Sequence, residues 1–122
     1  MDFEKMPPDW PYRDRVRRVA SKPHDWCVID EGTGPALLLL HGAGGSGHSF
    51  RNLIPLLAPH FRLIVPDLPG QGFTRSGARS RYGLDAMAED LVVLCTNMGI
   101  DPVAVIGHSA GAAIALRMAD FL

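Results

Sequence analysis

Cysteine is nearly absent from this sequence: Cys27 and Cys95 are the only two in 122 residues. Each lies among apolar neighbours and no Cys-x-x-Cys spacing occurs, so reduced structural thiols are expected rather than a disulfide or a metal site. Long apolar runs are missing too. The longest, Pro35 to Leu40, falls far short of the ~20 residues that span a bilayer. The opening MDFEKMPPDWPYR has acids and prolines where a secretion signal needs a basic stretch and then an apolar one, so none is read there. A soluble, cytoplasmic protein is expected. Neither sign of charge is in excess: 12 basic and 13 acidic residues leave a net charge of −1, which gives no general reason to expect nucleic acid as a partner. Arg13, Arg15, Arg17 and Arg18 cluster early, and Arg75, Arg79 and Arg81 later; both groups are read as solvated surface.

What is present is an ordinary globular composition, 47% hydrophobic and 20% charged, enough for one domain. Residues 1 to 14, with Pro7, Pro8 and Pro11 around Trp10, read as an irregular extension. VRRVA and DWCVIDEG, joined by SKPH, predict an antiparallel hairpin at a sheet edge. PALLLLHG, FRLIVPDLPG and PVAVIG are continuous apolar runs, which predict strands covered on both faces. Between them, Phe50, Leu53, Ile54 and Leu57 fall at helical spacing, as do Leu84, Met87, Leu91, Leu94 and Met98 ahead of a stop at Gly99. A last helix follows from AGAAIALRMADFL. Hairpin and then β-α-β-α-β-α implies right-handed crossovers and an open α/β sheet.

In such sheets, sites lie beyond the carboxyl ends of the strands. Three loops are singled out: His41 to Ser49, Asp67 to Gly83, and Gly107 to Gly111. The last contains Gly-His-Ser-Ala-Gly. With the glycine content of this chain a Gly-x-Ser-x-Gly arises by chance about 7% of the time, so its setting has to distinguish a nucleophile from a turn serine. The setting is a buried strand turning sharply into a helix, where only very small side chains fit two positions before and after Ser109. Gly107 and Gly111 meet that demand, and Ala110, Ala112 and Ala113 let the helix pack closely. A serine hydroxyl also needs stabilisation of its developing oxyanion. The N-H of Ala110 at the helix start is one candidate donor and that of Ala43, in the glycine-rich HGAGGSGHS loop, the other.

The same loop matches Gly-x-Gly-x-x-Gly at Gly42, Gly44 and Gly47, with Asp67 about 20 residues on, so a dinucleotide loop is a rival reading. The preceding hairpin, His41 and the downstream serine motif count against it. Gly42, His48 and His108 are candidates for the substrate-binding wall. His108 points away from Ser109 on a tight turn and is read as packing rather than as the base. His41 is expected to shape the glycine loop by hydrogen bonding, Asp67 to fix its own loop as an acceptor, and His24 and His60 to lie at the surface or in turns. No resident cofactor or metal is implied.

A His-Gly loop, an Asp-Leu-Pro-Gly-x-Gly turn and a Gly-x-Ser-x-Gly elbow, in this order, resemble the α/β-hydrolase family over residues 15 to 122. Within it, DWPYR, LLLLHGAGGSGHSF, VPDLPGQGFT and GHSAGAAIALRM are similar to the magnesium-chelatase accessory branch of bacteriochlorophyll biosynthesis in photosynthetic bacteria, although Gln71 stands where relatives often carry histidine. The resemblance implies a triad of Ser, then Asp or Glu, then His. After Ser109 the chain offers only Asp120 and no histidine. The expectation is therefore the N-terminal part of a longer α/β-hydrolase, not a complete short protein, whose elbow strand would be an apolar sheet edge. The 122 residues alone are expected to be inactive. Two functions stay open: a serine hydrolase acting on a small ester-like or porphyrin-related substrate, or a non-catalytic accessory protein binding such a ligand or magnesium-chelatase subunits.

Overall fold

The computed structural model describes residues 6–10, 12–77 and 81–121. Pro11 and Arg79, named above, lie outside the described residues. A 3-10 turn at Arg13–Arg15 leads into β1 (Val16–Ser21) and β2 (His24–Glu31), followed by β3 (Ala36–Leu40), a 3-10 turn (Gly47–Phe50), α1 (Ile54–Leu57), β4 (Arg62–Pro66), α2 (Leu84–Met98), β5 (Ala104–Gly107) and α3 (Ala110–Met118). The sheet order is β1-β2-β4-β3-β5. The hairpin pairs antiparallel and β2 pairs antiparallel with β4, while β3 runs parallel to both β4 and β5. This is an open, mixed α/β sheet, with the predicted hairpin at its edge.

The pleat explains the continuous apolar runs. Leu38, Leu40, Ile64 and Val28 face one side, where Met87, Leu91 and Leu94 of α2 and Ile114 and Met118 of α3 cover them. Leu37, Leu39, Leu63 and Val65 face the other, against Phe50 and Ile54. Successive strand residues point to opposite faces, so a strand covered twice has to be apolar throughout. α2 ends as predicted, at Gly99 with φ +70, a left-handed cap that glycine adopts without steric cost.

Two expectations are corrected. The helix expected around Phe50 to Leu57 is broken into the 3-10 turn and the four-residue α1. Pro55 has no N-H to give the preceding turn, so the ladder restarts there. Leu84 opens α2 but is 41% exposed rather than part of the covered face. Among the described residues β5 is the last strand, beyond β3; Ala104 is exposed and the other three residues are half-buried. The early arginines face acids, with Arg15 at 3.3 Å from Glu31, Arg17 at 2.8 Å from Asp30 and Arg18 at 3.5 Å from Asp25. No helix among the described residues is long and apolar enough to cross a membrane.

Candidate functional site

β3 and β5 end side by side, Leu40 opposite Gly107, and the His108 N-H donates to the Leu40 carbonyl at 3.0 Å. The chain then turns through Ser109 at φ +58, ψ −119, directly before α3. A non-glycine residue in that region is held against its preference, at a cost of about 1–3 kcal/mol, and persists only where its surroundings impose it. Here they do. A Cβ on Gly107 would lie 2.4 Å from the Gly111 carbonyl oxygen, and one on Gly111 would lie 2.2 Å from that of Leu40. Both glycines are thus required by close backbone approach, as the sequence predicts. Ser109 is exposed at the rim.

The glycine loop closes over this turn. A Cβ on Gly42 would lie 3.1 Å from the Ser109 Cβ, so Gly42 is the floor beside the serine. A cavity of about 350 Å³ is bounded by Gly42, Ala43, Gly45, Ser49, His108 and Ser109. The structure therefore brings together Ser109, Ala43, Gly42 and His108, with Ala110 next in chain. As the first residue of α3, Ala110 has no acceptor for its N-H within the helix. His108 is exposed, which corrects its reading as a packing residue. His48 does not line this cavity but its neighbour.

His41 and Asp67 lock the loop from below. His41 is fully buried; its Nε2 accepts the Leu68 N-H at 2.9 Å and its Nδ1 lies 2.7 Å from the Gly42 carbonyl. The first bond requires a lone pair on Nε2, so the ring is neutral and Nδ1-H donates to Gly42. Burial holds its pKa below the ordinary histidine value, against opposing contributions from the Gly42 carbonyl and Asp67. Asp67 Oδ1 accepts the Gly47 N-H at 2.6 Å and Oδ2 the Phe73 N-H at 2.8 Å. Both residues act as the sequence predicts, and both are fully engaged, so neither is free to serve Ser109.

This arrangement excludes the dinucleotide reading. The amides of Gly44, Gly45, Ser46 and Gly47 donate to Gln71 Oε1, the Gly42 carbonyl, Ser49 Oγ and Asp67. The loop opens a four-residue 3-10 turn, not a helix N-terminus that cradles a pyrophosphate. Among the described residues no group of three or more His, Cys, Asp or Glu is placed to hold a metal. Cys27 and Cys95 are free and buried. Burial pushes the Cys95 thiol up to about 11, and burial followed by the charge of Asp67 pushes Cys27 up as well; both are protonated structural thiols.

Two features escape the sequence. His24, expected at the surface or in a turn, has a side chain with no exposed area. Its Nδ1 accepts the Gly77 N-H at 3.3 Å and its Nε2 donates to Asp90 Oδ2 at 3.0 Å, while Arg81 reaches Asp90 Oδ1 at 2.7 Å. The cluster ties the loop after β4 to α2 and the hairpin turn, because the buried His24 and Asp90 satisfy each other and the half-buried Arg81 closes over Asp90. Asp90, between Met87 and Leu94 on the buried side of α2, is the available signal, since a carboxylate there requires partners. His60 is exposed as expected. The second feature is Trp10, whose ring stacks on His48 at 4.5 Å between centroids and meets Phe73 edge-on at 5.4 Å.

Residues 35–121 match a family described as alpha/beta hydrolase fold. The chain is 58% identical over 121 residues to the magnesium-chelatase 30 kDa subunit of Rhodobacter capsulatus, covering 98% of this chain and 43% of that protein. It is 40% identical over 93 residues to the soluble epoxide hydrolase of Corynebacterium sp. (strain C12), covering 75% and 32%. Among solved structures, a mutant of the Vigna radiata epoxide hydrolase superposes with a TM-score of 0.80 at 31% identity, covering 87% of this chain and 34% of that one. The chain spans less than half the length of these relatives.

Proposed function

We propose that this chain, which belongs to the α/β-hydrolase family, contributes the nucleophile and oxyanion site of a serine hydrolase acting on a small-molecule ester or related acyl compound in the cytoplasm. The observation that carries this reading is the forced backbone at Ser109, φ +58, beside an open cavity of about 350 Å³. Strain maintained by two glycines that tolerate no methyl group makes sense where a hydroxyl has to be presented to a substrate.

In this reading Ser109 Oγ attacks the acyl carbon and loses its proton to a base. The carbonyl oxygen, now an oxyanion, accepts from the amides of Ala43 and Ala110, each such donor being worth about 3–4 kcal/mol. His41 does not take the proton, because its Nε2 lone pair is held by Leu68. No histidine follows Ser109 in these 122 residues. Gly42 and His108 form the wall against the substrate.

The test is labelling of the full-length protein with a fluorophosphonate. Labelling that disappears in Ser109→Ala is expected; no labelling, or labelling that survives the substitution, overturns the reading.

A second reading is favoured by the 58% identity to a magnesium-chelatase subunit. On it the cavity serves a non-catalytic accessory role in bacteriochlorophyll biosynthesis and photosynthesis, binding a porphyrin-related ligand or a chelatase subunit. Full pathway activity from a gene carrying Ser109→Ala would select it over catalysis.

A further inference from the structure

A second cavity, of about 320 Å³, adjoins the first across the glycine loop. The two share Gly45 and Ser49 as a wall. Its other sides are Trp10 from the N-terminal segment, Phe73 from the loop after β4, and His48 and Arg51 from the 3-10 turn and the residue after it. Trp10 and Phe73 supply an apolar aromatic surface. Arg51 supplies a cation whose described bonds go only to a main-chain oxygen: its Nη1 lies 3.3 Å from the His48 carbonyl, and no carboxylate among the described residues pairs with it. Among the other described arginines, Arg15, Arg17, Arg18, Arg62, Arg81 and Arg117 face acids, whereas Arg13, away from this cavity, bonds the Met6 carbonyl.

The shelf bearing Arg51 is rigid. Ser46 and Ser49 cap the 3-10 turn reciprocally, and Asp67 holds its first residue, Gly47, at 2.6 Å. The buried carboxylate of Asp67 accepts from the Gly47 and Phe73 amides and makes no ion pair with Arg51. His48 Nε2 is buried with no hydrogen-bond partner, and a buried polar atom left so is costly unless something supplies the missing bond.

We propose that this second cavity is a recognition subsite for a carboxylate carried on an apolar or aromatic arm of the substrate, with Arg51 pairing the carboxylate and Trp10 and Phe73 covering the arm. The inference rests on the Ser109 reading for its word "substrate": an acyl group in the first cavity reaches the second over Gly45. The class of compound it specifies is an ester that also bears a free carboxylate. A guanidinium offers two parallel N-H donors to a carboxylate, and an aromatic wall beside it selects an arm with little polar surface.

The test measures binding to the full-length protein by titration calorimetry, comparing phenylbutyrate with the neutral phenylbutanol. Phenylbutyrate is expected to bind more tightly, and this preference falls about tenfold in Arg51→Gln, the size of one exposed charge-assisted bond. Arg51→Glu reverses the preference. No saturable binding, equal affinity for the two compounds, or a preference that Arg51→Gln leaves intact overturns the subsite. The two readings separate cleanly: Arg51-dependent binding without fluorophosphonate labelling keeps the subsite and removes the hydrolase, whereas labelling without the carboxylate preference does the reverse.

Discussion

Replacing Gly111 with alanine drives a methyl group into the carbonyl oxygens that end β3. Its Cβ would lie 2.2 Å from the oxygen of Leu40 and 2.7 Å from that of His41. Both are backbone atoms, so no rotamer change relieves the contact, and the first turn of α3 has to retreat by about 1 Å. In a free helix the same change gains about 1 kcal/mol of propensity. Overpacking a rigid contact costs about 3 kcal/mol, so the net destabilisation is about 2 kcal/mol. The chemistry suffers more. The Gly111 N-H is bonded to the His108 carbonyl at 3.0 Å, so the retreat carries Ser109 and the Ala110 amide with it, and a misplacement of that size costs about 10²-fold in rate. Urea unfolding and the rate of fluorophosphonate labelling of the full-length protein measure the two effects. Gly83→Ala is the control: Gly83 caps α2 at φ −69 with nothing near its Cβ position. Its expected change is near zero, since a weaker cap of about 0.5 kcal/mol is offset by a less flexible unfolded chain. A Gly111→Ala protein whose unfolding midpoint matches the parent and whose labelling rate stays within about twofold would refute the argument that close approach holds the elbow.

Ser109→Gly removes the proposed nucleophile and also the side chain that disfavours φ +58; it is expected to raise stability by about 1 kcal/mol while abolishing labelling, and an unchanged or lower urea midpoint would deny that the turn is strained. His41 ties stability to pH. Burial lowers its folded pKa from the ordinary value, so between that lowered value and about 6.5 the unfolded chain binds a proton that the folded chain does not. Stability is fully present above about pH 6.5 and falls as pH drops through this window. His48, lowered by burial and by Arg51 but only partly buried, adds a smaller effect of the same sign. Unfolding midpoints on either side of about pH 6.5 should converge in His41→Gln relative to the parent; an unaltered pH slope would show that His41 is not the group responsible.

The parts of this molecule legible in its sequence are those imposed by local backbone geometry. β3 and β4 announce themselves because both faces are covered, so every position has to be apolar. The elbow is legible because Gly107 and Gly111 have no room for a methyl group, a demand that appears directly as residue identity. The segment around Leu57 is misread for a related reason. The apolar spacing of Phe50 and Ile54 does mark their shared buried face, but spacing reports which side is buried and not whether the hydrogen-bond ladder is continuous through Pro55.

Pairings between distant side chains follow a different logic. Asp90 on the buried side of α2 states a requirement for donors, yet nothing local names them, and they come from His24 and Arg81, positions 66 and 9 residues away. The Trp10 ring, placed in a proline-rich extension, meets His48 and Phe73, partners far along the chain that no local spacing names. The same distinction divides the candidate site. Ser109 and its glycines are local and readable, whereas Arg51 gains its interest only from the acids it does not meet once the chain is folded. For that reason the Arg51 titration tests more than one residue: it asks whether an unmatched cation on a fixed shelf marks the group that a substrate brings.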